Sequence, residues 1–384
     1  MITEIIEAFV YIVVFVIAVF MASLYQRMFN RVQIIGVPKG FKFIRTASYC
    51  VVGCLFVLPV IAMCGLRYGI GFDYFAYEQT FNMLHLMSFK DYWIKYTHNI
   101  VRIEPAYYVL NRLMPSYRIL LWCLAILMFT LIFLAVKDYS DKLSIPFALY
   151  IFLSTQFIYS LNGIRFVIAA CFLLLGYKSV SQNQTLKFVI FVFAASLFHT
   201  SALFCLSIVF LKKFKHRRID SIRNVGFYVF ILLFPIICRY LLRIAGTLPV
   251  FEKYFSVSEY LPNEAMSSSW KWLLRIFAVL LPLILFCRKE IAAQEETKTF
   301  LKICILEIPF GVLGMYNVWY GRFGRNAKIA QVIFVPLILN KITNKHKKII
   351  MYIYYIIWYT FDCIYYAVVN DAGTSLPYVW IFSQ

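Results

Sequence analysis

Apolar runs of about twenty residues recur along this chain, and they constrain its fold more than any other feature. The run at 117–136 is the clearest: past Arg118 it meets no charge until Lys137. An α-helix rises about 1.5 Å per residue, so such a run matches a hydrocarbon layer about 30 Å thick. The runs lack the alternation of a lipid-facing barrel strand, which leaves helices as the spanning elements. Composition agrees, with 62% hydrophobic and 15% charged residues over 384, where soluble domains carry about 25% charged. The chain is therefore expected to be an all-α polytopic membrane protein, a single integral membrane domain over 1–384. It shows no internal repeat and no separable soluble domain.

A formal net charge of +20 would suggest nucleic acid in a soluble protein. Here the cations cluster between apolar runs, as they do when positive cytoplasmic loops set orientation. The N-terminal MITEIIEAFVYIVV has no basic segment before its apolar run, so no cleavable signal peptide is expected. The cysteines are scattered without CxxC pairs or histidine partners, so no metal site is expected and they read as small buried residues.

Spans are expected at 5–24, 47–66, 117–136, 144–161, 164–178, 225–242, 270–287, 300–319, 327–339 and 349–369. The stretch 188–211 is apolar but interrupted by His199-Thr200-Ser201. Arg27, Arg31, Lys39, Lys42 and Arg45 put the first loop in the cytoplasm. Were 188–211 a single crossing, the basic run from Lys212 to Arg218 and every later basic loop would fall outside. A broken or re-entrant pair with its tip near His199 restores the positive-inside pattern, giving about twelve membrane segments with both termini outside. Two external segments follow, at about 67–116 and 246–269. The first is expected to hold interfacial helices near 75–87 and 105–114.

Ionisable groups at membrane depth are expensive and mark pairs or functional cavities. Several collect on the predicted outer face: Arg67 and Asp73 in RYGIGFDYFAY, Glu104 in EPAYYVL, Arg165 in LNGIRFVIAA, His199 in LFHTSALF, and Arg322 and Arg325 in YGRFGRN. Arg239 and Arg243 approach the same face. Arg67 also suits a snorkelling interfacial anchor, His199 a hydrogen-bonded core histidine, and the Arg322/Arg325 pair ordinary loop charge. Arg165 is the hardest to read so plainly, because it heads an otherwise apolar helix. Together these cations and carboxylates suit an anionic, lipid-linked substrate: guanidinium groups match phosphate oxygens, and a carboxylate nearby can accept a proton from a sugar hydroxyl. There is no P-loop, dinucleotide turn or GxSxG elbow to drive a nucleotide-dependent or serine-based reaction.

The order of these motifs resembles the EpsG-type branch of Wzy polymerases, which polymerise O-antigen, capsule or exopolysaccharide repeat units in bacteria. The similar elements are the segment from Arg67 to Tyr77, the EPAYYVL that Glu104 opens, Asn162-Gly163-Ile164-Arg165, Phe198-His199-Thr200-Ser201, Gly321-Arg322-Phe323-Gly324-Arg325 and the closing LPYVWIF. One departure is Phe166, where a polar glutamine often follows the arginine. The resemblance implies a metal-independent, cofactor-free glycosyltransferase with a GT-C-like helical fold in the bacterial inner membrane, its site facing the periplasm. It implies undecaprenyl-pyrophosphate-linked donor and acceptor glycans, and a Wzz-type co-polymerase as partner. Arg165, Arg322, Arg325 and, more weakly, Arg67 would hold the pyrophosphate. Asp73 or His199 would be the base, with Glu104 orienting sugars or the second carrier. The rival readings are a lipid-linked oligosaccharide flippase, which should show matched halves, and an O-antigen ligase, which should carry a long late external loop.

Overall fold

The computed structural model describes residues 2–35, 42–214, 233, 264–314, 318–370 and 375–383. Among them the regular structure is helical, apart from a two-residue bridge between Arg67 and Trp380. The elements are α1 (Ile2–Ile35), α2 (Lys42–Phe56), α3 (Leu58–Gly65), α4 (Tyr74–Leu86), α5 (Phe89–Thr97), α6 (Pro105–Leu113), α7 (Tyr117–Lys137), α8 (Ile145–Phe152), α9 (Ile158–Ser181) and α10 (Thr185–Ser196). A 3₁₀ segment, Thr200–Phe214, follows. After it come α11 (Glu264–Phe286), α12 (Arg288–Ala292), α13 (Glu295–Ile305), α14 (Glu307–Gly314), α15 (Val318–Lys328), α16 (Gln331–Lys341) and α17 (Lys345–Tyr365). The expected span 225–242, Arg239, Arg243 and most of the external segment 246–269 lie outside the described residues.

Three described helices are long and apolar enough to cross a membrane: Glu7–Asn30, Tyr117–Lys137 and the 37-residue Ile145–Ser181. A fourth is a bent pair, Thr46–Phe56 and Leu58–Gly65, meeting at 71°. The expected straight span at 47–66 is therefore broken, and Pro59 near the start of α3 explains it. Its ring has no N–H to donate and clashes with the carbonyl four residues back. The dozen spans expected from the sequence are not shown as such: the later apolar runs are divided into shorter helices, with breaks at Leu306 and Ile329–Ala330.

Ile145–Ser181 does not run straight. A straight helix would carry Lys178 about 50 Å from Ile145. Yet Lys178 Nζ sits 3.0 Å from Asp138 Oδ2, and Asp138 is joined to Ile145 by no more than about 25 Å of extended chain. The reversal falls at Gly163, whose φ of −116° and ψ of 50° leave the helical region. A π-helical turn, Leu153–Phe157, joins α8 to α9 before that point. The two legs match the separate spans expected at 144–161 and 164–178.

The connections sort to two ends. At one, Gln26 bonds the carbonyls of Ser140 and Leu143, Lys137 bonds Thr46, Tyr139 bonds Glu296 and Asn340 bonds the Lys142 carbonyl. Lys347 pairs there with Glu290. At the other lie the Gly163 reversal in α9, the helices α4, α5 and α6, and the closing segment from Ser375, which Tyr11 bonds. α4 and α6 fall where helices were expected near 75–87 and 105–114. α5 was not expected; Ser88 starts it, its hydroxyl capping the Asp91 N–H.

Candidate functional site

Arg67 leaves α3 and is fixed by the closing segment. Tyr68 N–H donates to the Val379 carbonyl and Ile381 N–H to the Leu66 carbonyl, both at 3.1 Å. The Arg67 side chain is 1% exposed, so it is no snorkelling anchor. Nη1 donates to the carbonyl of Leu161, beside the Gly163 reversal in α9, while Nε and Nη2 have no hydrogen-bond partner among the described residues. Gly71 presses on the same turn. Its φ is +100°, and a Cβ there would lie 2.5 Å from the Leu161 oxygen, so both conformation and space demand glycine.

Asp73 precedes α4 and is part-exposed. Its carboxylate forms no ion pair among the described residues, so it is not neutralised by Arg67, and no contact brings it to the other candidates.

Glu104 and Arg165 do meet, across 61 residues of sequence. Glu104 precedes α6, where Pro105 suits the first helical position because its missing N–H would have no helical partner. Ala106 N–H donates to the Leu197 carbonyl at 3.0 Å, docking α6 on the end of α10. One Glu104 oxygen pairs with Arg165 Nη1; the other accepts the Thr200 N–H at 3.1 Å. The Arg165 guanidinium lies between the rings of Tyr77 and Tyr107, at 5.5 and 5.4 Å. Burial pushes the Glu104 carboxyl up, against the pull of Arg165 and of the Thr200 N–H.

His199 sits where α10 has ended and the 3₁₀ segment has not begun. Its Nδ1 is 2.7 Å from the Ser201 hydroxyl and accepts the Ser201 N–H at 3.3 Å. With Nδ1 accepting, the proton of the neutral ring is on Nε2. The ring packs edge-on against Phe166, centroids 5.3 Å apart, and the charges of Arg165 and Arg322 both bear on it.

Asn326 ties α15 to this centre, its side-chain amide donating to the Ser201 hydroxyl at 3.4 Å and its backbone carbonyl accepting from Tyr177. Arg325 stacks on Tyr159 at 4.1 Å and on Tyr366 at 5.4 Å.

The structure thus gathers Glu104, Arg165, His199 and Arg322, sets Arg325 alongside through Tyr159, buries Arg67 under the turn and leaves Asp73 apart. Sequence reasoning missed Tyr77, Tyr107 and Asn326, which have no periodic signal. It also missed Asp362, Arg275, Lys328 and Glu307. Asp362 pairs with Arg275 and Lys328, and Glu307 accepts from Gln331 at 3.0 Å. Their signal was present, since each is a charge in or beside an apolar run, as Arg165 is.

No curated protein and no solved structure matches this chain. A family model described as the EpsG family matches residues 50–380, a stretch that holds every motif from Arg67 to Trp380. By that match the chain belongs to the EpsG family.

Proposed function

We propose that this membrane protein of polysaccharide biosynthesis is the repeat-unit polymerase, a glycosyltransferase joining lipid-linked glycans at the outer face. EpsG family membership supports the polysaccharide setting. The observation that carries the reaction is the meeting of Arg165, Glu104 and His199 at two helix breaks, Gly163 and Leu197–His199. Irregular backbone at membrane depth is tolerated where it is buried in protein or lines a cavity.

The donor is a glycan on undecaprenyl pyrophosphate and the acceptor a repeat unit on the same carrier. The acceptor hydroxyl attacks the anomeric carbon, the carbon–oxygen bond to pyrophosphate breaks and undecaprenyl pyrophosphate leaves. Arg165, Arg322 and Arg325 meet the charge that develops on the leaving group. Arg67, committed to the Leu161 carbonyl, serves the site by holding the turn that aims Arg165. Of the two base candidates, the His199 hydrogen bonds favour Asp73, because a neutral ring with Nδ1 accepting presents an N–H donor. Glu104 orients Arg165 and borders the sugar. The basic loops lie in the cytoplasm and the site faces the periplasm. Counted as broken spans, the shorter helices bring the crossings to about twelve, in a GT-C-like bundle acting beside a Wzz-type co-polymerase.

The test is to delete the gene, complement with wild type, Arg165→Ala, His199→Ala or Asp73→Ala, and resolve the surface polysaccharide on a gel. A lost ladder with single repeat units still outside supports polymerisation. Absence of repeat units from the outer face refutes it in favour of a flippase, and an intact polymer that fails to reach its final acceptor would point to a ligase.

A further inference from the structure

A second buried charge cluster lies beside the Arg165 centre. Asp362, on α17, is 3% exposed. One of its oxygens accepts from Arg275 Nε on α11; the other is 3.3 Å from Lys328 Nζ on α15. The Arg275 guanidinium also covers the Tyr365 ring at 5.4 Å. The two cations are 14% and 12% exposed. An ion pair that only tied helices together would need one cation for its carboxylate, and here two from separate helices share one.

Lys328 continues a row. Arg322, Arg325 and Lys328 follow one another at three-residue steps along α15, about 9 Å from first to last. Glu307 bears electrostatically on Arg325. Among the described residues, Arg275 and Lys328 stand against the one carboxylate of Asp362. The Arg165 centre is different, because Glu104 balances Arg165 there. Positive charge in excess at membrane depth is expensive and marks a ligand path. Guanidinium and ammonium groups on one face suit phosphate oxygens.

We infer that Arg275 and Lys328, anchored by Asp362, form a second phosphate-binding subsite for the pyrophosphate of a second lipid-linked molecule. The first carrier occupies the Arg165–His199 side, and the row on α15 connects the two positions. That the ligand is lipid-linked rests on the polymerase reading; the phosphate chemistry rests on the cluster itself.

The test uses the full chain in nanodiscs, titrated with farnesyl pyrophosphate and counted by native mass spectrometry, with inorganic pyrophosphate in parallel. Lys328→Gln is the key variant, since it leaves the Arg275–Asp362 pair intact and so spares the fold. Wild type should take two equivalents, Lys328→Gln should weaken one of them about tenfold, and Lys328→Arg should restore it. Binding to Lys328→Gln within about twofold of wild type at both equivalents overturns the second subsite and leaves the polymerase reading standing. Inorganic pyrophosphate displacing the second equivalent as well as the lipid does overturns its assignment to a lipid-linked molecule. No farnesyl pyrophosphate bound to wild type at all overturns both readings.

Discussion

The pairing of Glu104 with Arg165 can be separated into its structural and functional parts by a double-mutant cycle. The side chains are 6% and 16% exposed, so solvent screens them little. Glu104→Gln keeps an acceptor for the Thr200 N–H but leaves the Arg165 charge alone between two tyrosine rings, a loss of about 3–5 kcal/mol. Arg165→Met leaves the carboxylate unpaired; protonation relieves it, which places the loss nearer about 3 kcal/mol. The double variant buries neither charge and should lose only about 1 kcal/mol relative to wild type. The two single losses then exceed the double by well over about 2 kcal/mol, a coupling at or above the upper end for residues in contact or in one network. For a large domain about 1 kcal/mol shifts the melting temperature by about 2–4 °C, so Arg165→Met should melt about 6–12 °C lower in micelles and Glu104→Gln about 6–20 °C lower. The double should return to within a few degrees. Melting shifts that simply add would refute the pair as described. Polymer made by the double variant would show that the pair is a strut and no part of the chemistry.

Gly71→Ala should lose about 2 kcal/mol or more and with it the polymer ladder, since its Cβ would strike the Leu161 oxygen. Gly69→Ala, at φ +62° with its nearest neighbour 3.5 Å away, should lose only about 1 kcal/mol by the same melting assay. Asp138→Asn breaks a pair whose carboxylate is 53% exposed and should leave melting within about 1 kcal/mol of wild type, with the ladder unchanged. Orientation can be read with a membrane-impermeant maleimide: exposed Lys95→Cys should label on intact cells stripped of any outer envelope, and exposed Gln182→Cys only after permeabilisation. The reverse pattern would invert the bundle and remove the site from the periplasmic side.

The elements that follow from local pattern were legible. The run at 117–136 becomes Tyr117–Lys137, and Asn162-Gly163 marks the reversal between the legs of Ile145–Ser181. The bend between α2 and α3 was also written in the sequence, at Pro59, but an average over apolar residues conceals a proline whose neighbours are all hydrophobic. The break at Leu306 has the same signature in Pro309, whose ring clashes with the Ile305 carbonyl, whereas the sequence around Ile329–Ala330 carries no proline or glycine to mark it. Within the site, energy served where pattern could not. Nothing local links Glu104 to Arg165, yet each is too expensive to bury alone, and that argument put both among the candidates. The same argument applied to every charge in the later spans would have found Asp362 and Arg275; restricting it to the predicted outer loops hid them.

The position of the charges follows from the breaks themselves. A helix interrupted inside a bilayer frees backbone groups that no water satisfies, and each must find a partner. At the Gly163 break in α9 the partner of the Leu161 carbonyl is Arg67. Where the 3₁₀ segment starts, the partner of the Thr200 N–H is Glu104. Both come from the segment between α3 and α7, which therefore does more than cover the bundle: it supplies a donor to one break and an acceptor to the other. Through the Glu104–Arg165 contact it also joins the two breaks, because Arg165 follows the first and Thr200 begins beyond the second. The closing segment from Ser375 fixes Arg67 in turn, through the Leu66–Ile381 and Tyr68–Val379 hydrogen bonds. A rigid stitch of this kind holds guanidinium and imidazole groups in place before substrate arrives, which is what electrostatic stabilisation of a leaving pyrophosphate requires. It also accounts for the two breaks meeting at a single charged centre, since one carboxylate can join them only if they lie side by side.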